Sequence, residues 1–204
     1  MAAPKHLQIL CLGASLVAGF SSMGAVYHPF SHNLVKRLQT IMPGTEIEVE
    51  VDGVPGDRVT TGRFIERMKK QFAEGQRRFD WTIVLGATND IGVFAEVDEI
   101  MAALKETWSI PLGHGCKVLA VTVPRATIDK DYPQLVQRRN ELNHKIRECK
   151  ADNFHVFDLH DALPFDQYHA SLWDDPIHFT PAGYDFIGDK IGEALARIIL
   201  SRPS

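Results

Sequence analysis

Leu7-Gln-Ile-Leu-Cys-Leu12 is a short apolar run closed by Gly13, the pattern of a strand buried on both faces. Phe30, Leu34, Leu38 and Ile41 then recur at helical spacing, until Pro43-Gly44 ends the helix. Glu46-Ile-Glu-Val-Glu-Val51 alternates with period two, which predicts a half-exposed edge strand. Residues 59–72 read as a second helix, with Phe64, Ile65, Met68 and Phe72 on one face. Trp81-Thr-Ile-Val-Leu85 is the next buried strand, again closed by a glycine, Gly86. Val97, Ile100, Met101, Leu104 and Trp108 mark a third helix, and residues 117–123 a fourth strand. Leu135, Val136, Leu142 and Ile146 mark a fourth helix, and Phe154-His-Val-Phe157 a fifth strand. A last helix begins near Pro181, where proline suits the first turn and Thr180 is placed to cap it.

Strand and helix thus alternate five times with short connections, which predicts an α/β fold with a parallel sheet and helices on both faces. No low-complexity segment and no repeat of fixed period interrupts the pattern. Ligands of such sheets bind beyond the carboxyl ends of the strands, so chemistry is to be sought in the loops after residues 12, 51, 85, 123 and 158.

The chain has 204 residues, 45% hydrophobic and 24% charged, which fits one globular domain spanning residues 1–204. Its 22 Lys and Arg stand against 26 Asp and Glu. The resulting charge of −4 leaves no basic surplus for a phosphate backbone and argues against a nucleic-acid partner. Cys11, Cys116 and Cys149 are an odd count without paired spacing; Cys11 and Cys149 read as small hydrophobes, and a reducing compartment fits best. The amino terminus lacks a basic stretch followed by a long apolar one. Residues 7–20, broken by Gln8, Gly13, Ser15 and Gly19, are too short to span a bilayer, so a cytoplasmic protein without stable membrane insertion is expected.

Four of the strand-end loops carry distinct chemistry. Gly13-Ala-Ser-Leu16 offers the Ser15 hydroxyl, and Val51-Asp-Gly-Val-Pro-Gly-Asp57 the unhindered backbone N–H of Gly56. Gly86-Ala-Thr-Asn-Asp90 offers the Asn89 side-chain amide, and Trp173-Asp-Asp-Pro-Ile-His178 a histidine with Asp175 three positions before it. These are the parts of acyl transfer: a nucleophile, a base, a group that orients the base, and donors for an oxyanion.

The four blocks, in this order and at these separations, resemble the SGNH-hydrolase superfamily, the GDSL esterases and lipases. Ser15 takes the nucleophile position, Gly56 and Asn89 the second and third oxyanion donors after the Ser15 N–H, and Asp175-Pro-Ile-His178 the Asp-x-x-His block. Phe179-Thr-Pro-Ala-Gly-Tyr184, which follows, is also family-like. The resemblance implies a three-layer α/β/α sandwich with a five-stranded, flavodoxin-like parallel sheet. It implies ester hydrolysis of a small-molecule acyl ester, without a cofactor or metal, through Ser15, Asp175 and His178. One position departs: Ala14 stands where the family has an aspartate, giving Gly-Ala-Ser-Leu for Gly-Asp-Ser-Leu. That carboxylate is expected to order the nucleophile loop rather than to act in the triad.

Other readings of the same residues stay open in the sequence. A nucleotide-binding module of flavodoxin or Rossmann type would use the first loop, but Ser15 stands where its fingerprint needs a second glycine. A catalytically silent relative is raised by Ala14. Asp174, Asp175 and His178 are also metal-ligand types, though no HExxH or CxxC supports that use. Among nine histidines, His160 with Asp158 and Asp161 is the strongest competitor of His178, ahead of His155 and His169. Asp90 is expected to cap the segment after it, Arg125 to be a solvated loop residue or a substrate contact, and Arg138-Arg139 and Lys69-Lys70 to be solvated helix faces.

Overall fold

The structure, a computed structural model, describes residues 3–75, 78–163, 165–166 and 169–201. The chain begins with β1 (His6–Gly13), α1 (Ser15–Ala18), the short hairpin β2 (Phe20–Ser21) and β3 (Val26–Tyr27), and α2 (Ser31–Ile41). It continues through β4 (Glu46–Gly53), α3 (Arg63–Gln71), β5 (Trp81–Leu85), α4 (Thr88–Gly92) and α5 (Val97–Gly113). It ends with β6 (Lys117–Val121), α6 (Pro133–Glu148), β7 (Phe154–Phe157), α7 (Leu159–Ala162) and α8 (Pro181–Leu200).

Five strands form one parallel sheet in the order β4-β1-β5-β6-β7. In order of appearance that is 2-1-3-4-5, the flavodoxin arrangement, whose order reverses between β1 and β5. Period two along the buried strands divides the core into two layers. Ile9, Cys11, Trp81, Ile83, Leu85, Leu119 and Val121 face α2 and α8. Leu10, Leu12, Val84, Val118 and Ala120 face α3, α5 and α6. Helices therefore cover both faces, as the runs without alternation in β1 and β5 require. At the edge, β4 keeps its alternation: Ile47 and Val49 pack on the α2/α8 layer while Glu46 is exposed.

Three sequence expectations are corrected. Residues 59–72 are not one helix, because Gly62 takes a φ of +83° and divides a 3₁₀ turn at Val59–Thr61 from α3. The fourth strand ends its ladder at Val121 rather than residue 123, although the Thr122 N–H still donates to the Phe157 carbonyl. Arg138 and Arg139 are not a solvated face: Arg139 is 5% exposed and forms a two-bond fork on Asp129. Arg138 donates to the Ala95 carbonyl. The last helix starts as expected, with the Thr180 hydroxyl accepting from the Gly183 N–H. No helix among the described residues is long and apolar enough to cross a membrane.

Candidate active site

The carboxyl ends of β1, β4 and β5 meet beside the order reversal, and the loops leaving them carry the predicted residues. β1 turns into α1 at Ala14, which places Ser15 at the first helical position with its side chain almost fully buried. Ser15 Oγ lies 2.9 Å from His178 Nε2, and His178 Nδ1 lies 2.7 Å from Asp175 Oδ2. An ionised carboxylate only accepts, so Nδ1 carries the imidazole proton and Nε2 is left to accept from the serine hydroxyl. The three residues named from the sequence are therefore joined in one hydrogen-bonded chain across 163 positions.

The segment between Asp175 and His178 is a tight loop. An antiparallel bridge joins Trp173 to Phe179, and the His178 carbonyl accepts from the Asp174 N–H. Asp175 Oδ1 accepts from the backbone N–H groups of Ile177 and His178, both at 2.7 Å, which fixes the carboxylate and turns Oδ2 to the ring. Burial raises the Asp175 carboxyl, but the His178 and Ile177 backbone donors and the imidazole outweigh it and hold it below the usual carboxylate range. Both ring nitrogens of His178 are taken up by Ser15 and Asp175, so a metal reading of this block finds no free imidazole nitrogen. Asp174 points to another loop: its Oδ2 accepts from the Ser22 N–H at 2.6 Å.

The second loop turns at Val54-Pro55-Gly56-Asp57, with the Asp57 N–H donating to the Val54 carbonyl and Gly56 at a φ of +79°. Proline then glycine with positive φ is the pattern of a type II turn. Gly56 is exposed, and a Cβ there would meet nothing within 4 Å, so the turn geometry and not crowding asks for glycine. Asn89, at the start of α4, donates one amide N–H to the Asp57 carbonyl at 2.7 Å, which leaves its second N–H over. The backbone N–H groups of Ser15 and Gly56 have no acceptor among the described residues. Asn89 is thus tied to the carbonyl next to Gly56.

Asp90 does not cap the segment after it. It is fully buried and accepts from the Val59 and Thr60 N–H groups and the Thr60 hydroxyl, binding the β5 loop to the start of the 3₁₀ turn. His160 pairs with its neighbour Asp161, and His169 with Asp166, so neither competes for Ser15.

Two residues at the site were not singled out from the sequence. Phe20, half-buried in β2, lies with its ring centroid 4.6 Å from that of His178, tilted by 45°. Its carbonyl accepts from the Tyr184 hydroxyl, so the hairpin after α1 is held against the histidine. Arg67, on α3, reaches across the sheet end. It donates to the carbonyls of Gly13 and Asp52 at 2.8 and 2.7 Å and to the carboxylates of Asp52 and Asp57. The Gly13 carbonyl also accepts from the Val54 N–H, so one oxygen joins the Ser15 turn, the Gly56 loop and Arg67. Ala14 itself is buried in the apolar layer below, and the guanidinium ties the nucleophile loop, which the family aspartate was expected to order, to the loop that carries Gly56. Asp57 is 1% exposed in its side chain, so deleting Arg67 strands a buried charge, a change that costs about 3–5 kcal/mol.

A groove of about 910 Å³ lies between α5 and the end of α6, lined by Lys105, Trp108, His144, Cys149 and Phe154 among others. It opens where the chain enters β7, toward the opposite end of the sheet, and contains none of these residues.

Residues 11–186 match the GDSL-like lipase/acylhydrolase family. The chain belongs to that family. It is accordingly a carboxylic ester hydrolase, and the nucleotide-binding reading falls away. Solved structures share the fold. A lipase/acylhydrolase from Enterococcus faecalis is 22% identical, with a TM-score of 0.70 over 97% of this chain and 100% of that one. A member of the lipolytic protein G-D-S-L family from Veillonella parvula is 19% identical, with a TM-score of 0.73 over 94% and 99%. An acetylxylan esterase from Geobacillus stearothermophilus is 20% identical, with a TM-score of 0.67 over 99% and 98%. No curated protein sequence matches the chain.

Proposed function

We propose that this GDSL-family hydrolase is a serine esterase that cleaves small or medium acyl esters through an acyl-Ser15 intermediate. The observation that carries the reading is the continuous chain from Ser15 Oγ through His178 to Asp175, at 2.9 and 2.7 Å. Ser15 Oγ attacks the ester carbonyl carbon as its proton passes to His178 Nε2. The carbonyl oxygen gains the negative charge and is met by the Ser15 and Gly56 N–H groups and the free N–H of Asn89. The imidazolium, stabilised by Asp175, returns the proton to the departing alkoxide as the ester C–O bond breaks. Water then repeats the sequence on the acyl-enzyme, releasing the acid and restoring Ser15.

The large apolar side chains that the protein exposes favour esters with an apolar body. Met23, Val26 and Tyr27 follow β1, Val54 follows β4, Val93 and Phe94 follow β5, and Tyr132 follows β6, beyond carboxyl strand ends, whereas Val51 lies within β4. The acetylxylan esterase among the structural neighbours is in keeping with a short acyl group. Three unpaired cysteines fit the cytoplasmic placement proposed from the sequence.

The test is hydrolysis of p-nitrophenyl esters of increasing acyl length, together with labelling by a fluorophosphonate. Turnover that falls off with long acyl chains, and one label per chain mapped to Ser15, is the expected result. Neither turnover nor label would return the silent-relative reading.

A second expectation isolates the oxyanion donors. Asn89→Ala lowers kcat by about 10²–10³ with little change in KM, because the donor meets a charge present only in the transition state. A raised KM at constant kcat would make Asn89 a ground-state contact instead.

A further inference from the structure

Arg125 occupies the loop that leaves β6, on the same sheet edge as Ser15, Gly56 and Asn89. Its backbone is held at both sides. Two residues before it, buried Asn143 of α6 accepts from the Val123 N–H and donates to the Val123 carbonyl, at 2.8 and 2.9 Å. Two residues after it, the Thr127 N–H donates to the Pro176 carbonyl at 2.9 Å, inside the Asp175–His178 turn. Pro124, between these anchors, removes a further backbone freedom. Arg125 is therefore presented on a fixed backbone beside the histidine loop.

The guanidinium on that backbone has no partner among the described residues. Its Nε is shielded from solvent without a hydrogen bond, and the group enters no ion pair among the described residues. Three other arginines also have a shielded Nε without a hydrogen bond, yet each is anchored by carboxylates: Arg37 on Glu193 and Asp189, Arg67 on Asp52 and Asp57, and Arg139 on Asp129. The carboxylate nearest in sequence to Arg125, Asp129, is engaged elsewhere. One oxygen accepts from Arg139, and the other from Arg139 and from the Ala126 N–H. A half-buried cation whose local acid is engaged by another arginine keeps its N–H donors available to a negative group.

We propose that Arg125 is a specificity-determining residue that binds a carboxylate carried by the ester, so that the preferred substrates are anionic esters. The proposal rests on the serine-esterase reading for the chemistry, while the subsite itself rests on the loop geometry and the unpaired guanidinium. A planar fork of N–H donors suits a carboxylate, which accepts two of them side by side.

The test compares substrates matched in shape and differing in charge: 4-acetoxybenzoate with its methyl ester, and p-nitrophenyl hemisuccinate with p-nitrophenyl butyrate. The first pair places the carboxylate on the alcohol side and the second on the acyl side. The quantity read is the ratio of kcat/KM for the anionic ester to that for its neutral partner. It does not depend on how much of a preparation is folded. In at least one pair, Arg125→Ala lowers the ratio by roughly tenfold or more, the worth of one lost charge-assisted contact. Arg125→Lys loses less, and Arg125→Glu turns the preference toward the neutral ester further than alanine does. Unchanged ratios in both pairs would overturn the proposal. Binding of 4-acetoxybenzoate to Ser15→Ala protein, with and without Arg125→Ala, separates this outcome from failure of the esterase reading. Weaker binding on loss of Arg125 supports the subsite even if no ester is turned over, and equal binding with unchanged ratios removes it.

Discussion

Replacing Ser15 by alanine is expected to reduce ester turnover by about 10⁵–10⁶, to a residue set by substrate binding and the remaining oxyanion donors. The Ser15 hydroxyl makes one hydrogen bond among the described residues, to His178 Nε2, while the backbone N–H proposed for the oxyanion is kept by any residue but proline. Nothing in the packing depends on that oxygen. Ser15 begins α1, a helix whose preceding residue, Ala14, makes no side-chain cap, and alanine keeps the Cβ that the buried position contains. The change leaves His178 with an open acceptor beside Phe20, which costs no more than about 1–3 kcal/mol. Circular dichroism should therefore match the parent protein, with a melting temperature lowered by no more than about 12 °C, while p-nitrophenyl acetate hydrolysis disappears. Activity above about one part in a hundred, in protein with an unchanged spectrum, would mean that another nucleophile or an activated water does the work.

The cysteines are poor substitutes for that nucleophile. Cys11 sits in the middle of β1, where burial pushes its thiol far up, and burial also pushes Cys116 up to about 11.

What the sequence made legible, and what it did not, follows the range of the interactions. β1 and β5 are apolar on both faces and so stand out in the pattern, as does the alternation of β4 at the edge. The hairpin of β2 and β3 has two residues per strand, and α1 and α7 have four residues each, too few for any periodicity to register. At the site, Ser15, Gly56, Asn89, Asp175 and His178 were legible because their residue types and separations match a family pattern. Arg67, Phe20 and the Asp174–Ser22 bond were not. Arg67 meets Gly13 over 54 positions and Ser22 meets Asp174 over 152, and no local rhythm encodes such pairs. Arg139 shows the same limit from the other side. Beside Arg138 on a polar stretch of helix it reads as solvated, and only the 3₁₀ turn at Thr127–Lys130 brings it the carboxylate that lets it be buried.

The adjacent aspartates 174 and 175 give the sharpest remaining contrast. Asp175→Asn is expected to lower kcat by about 10³–10⁴, approaching the loss of about 10⁴ that the same exchange causes in a serine protease. The reason lies in how the carboxylate is held. Oδ1 is claimed by the Ile177 and His178 backbone N–H groups, so an asparagine must keep its carbonyl oxygen there. Its amide then faces His178 Nδ1 as a donor where the carboxylate was an acceptor. The ring responds by moving its proton to Nε2, and a protonated Nε2 cannot take the proton of Ser15 Oγ. Shape survives and the tautomer is wrong. Asp174→Asn changes little by comparison, within a few-fold of the parent, because an amide oxygen can still accept from the Ser22 N–H. Lowering the pH does not imitate Asp175→Asn across the ordinary carboxylate range, since the two backbone donors and the imidazole hold that carboxyl below it against the opposing effect of burial. Both variants should be assayed on one activated ester, with fluorophosphonate labelling rates as a second measure of Ser15 reactivity. If Asp174→Asn proved the more damaging of the two, the orienting acid would be Asp174 and the assignment of Asp175 would fall.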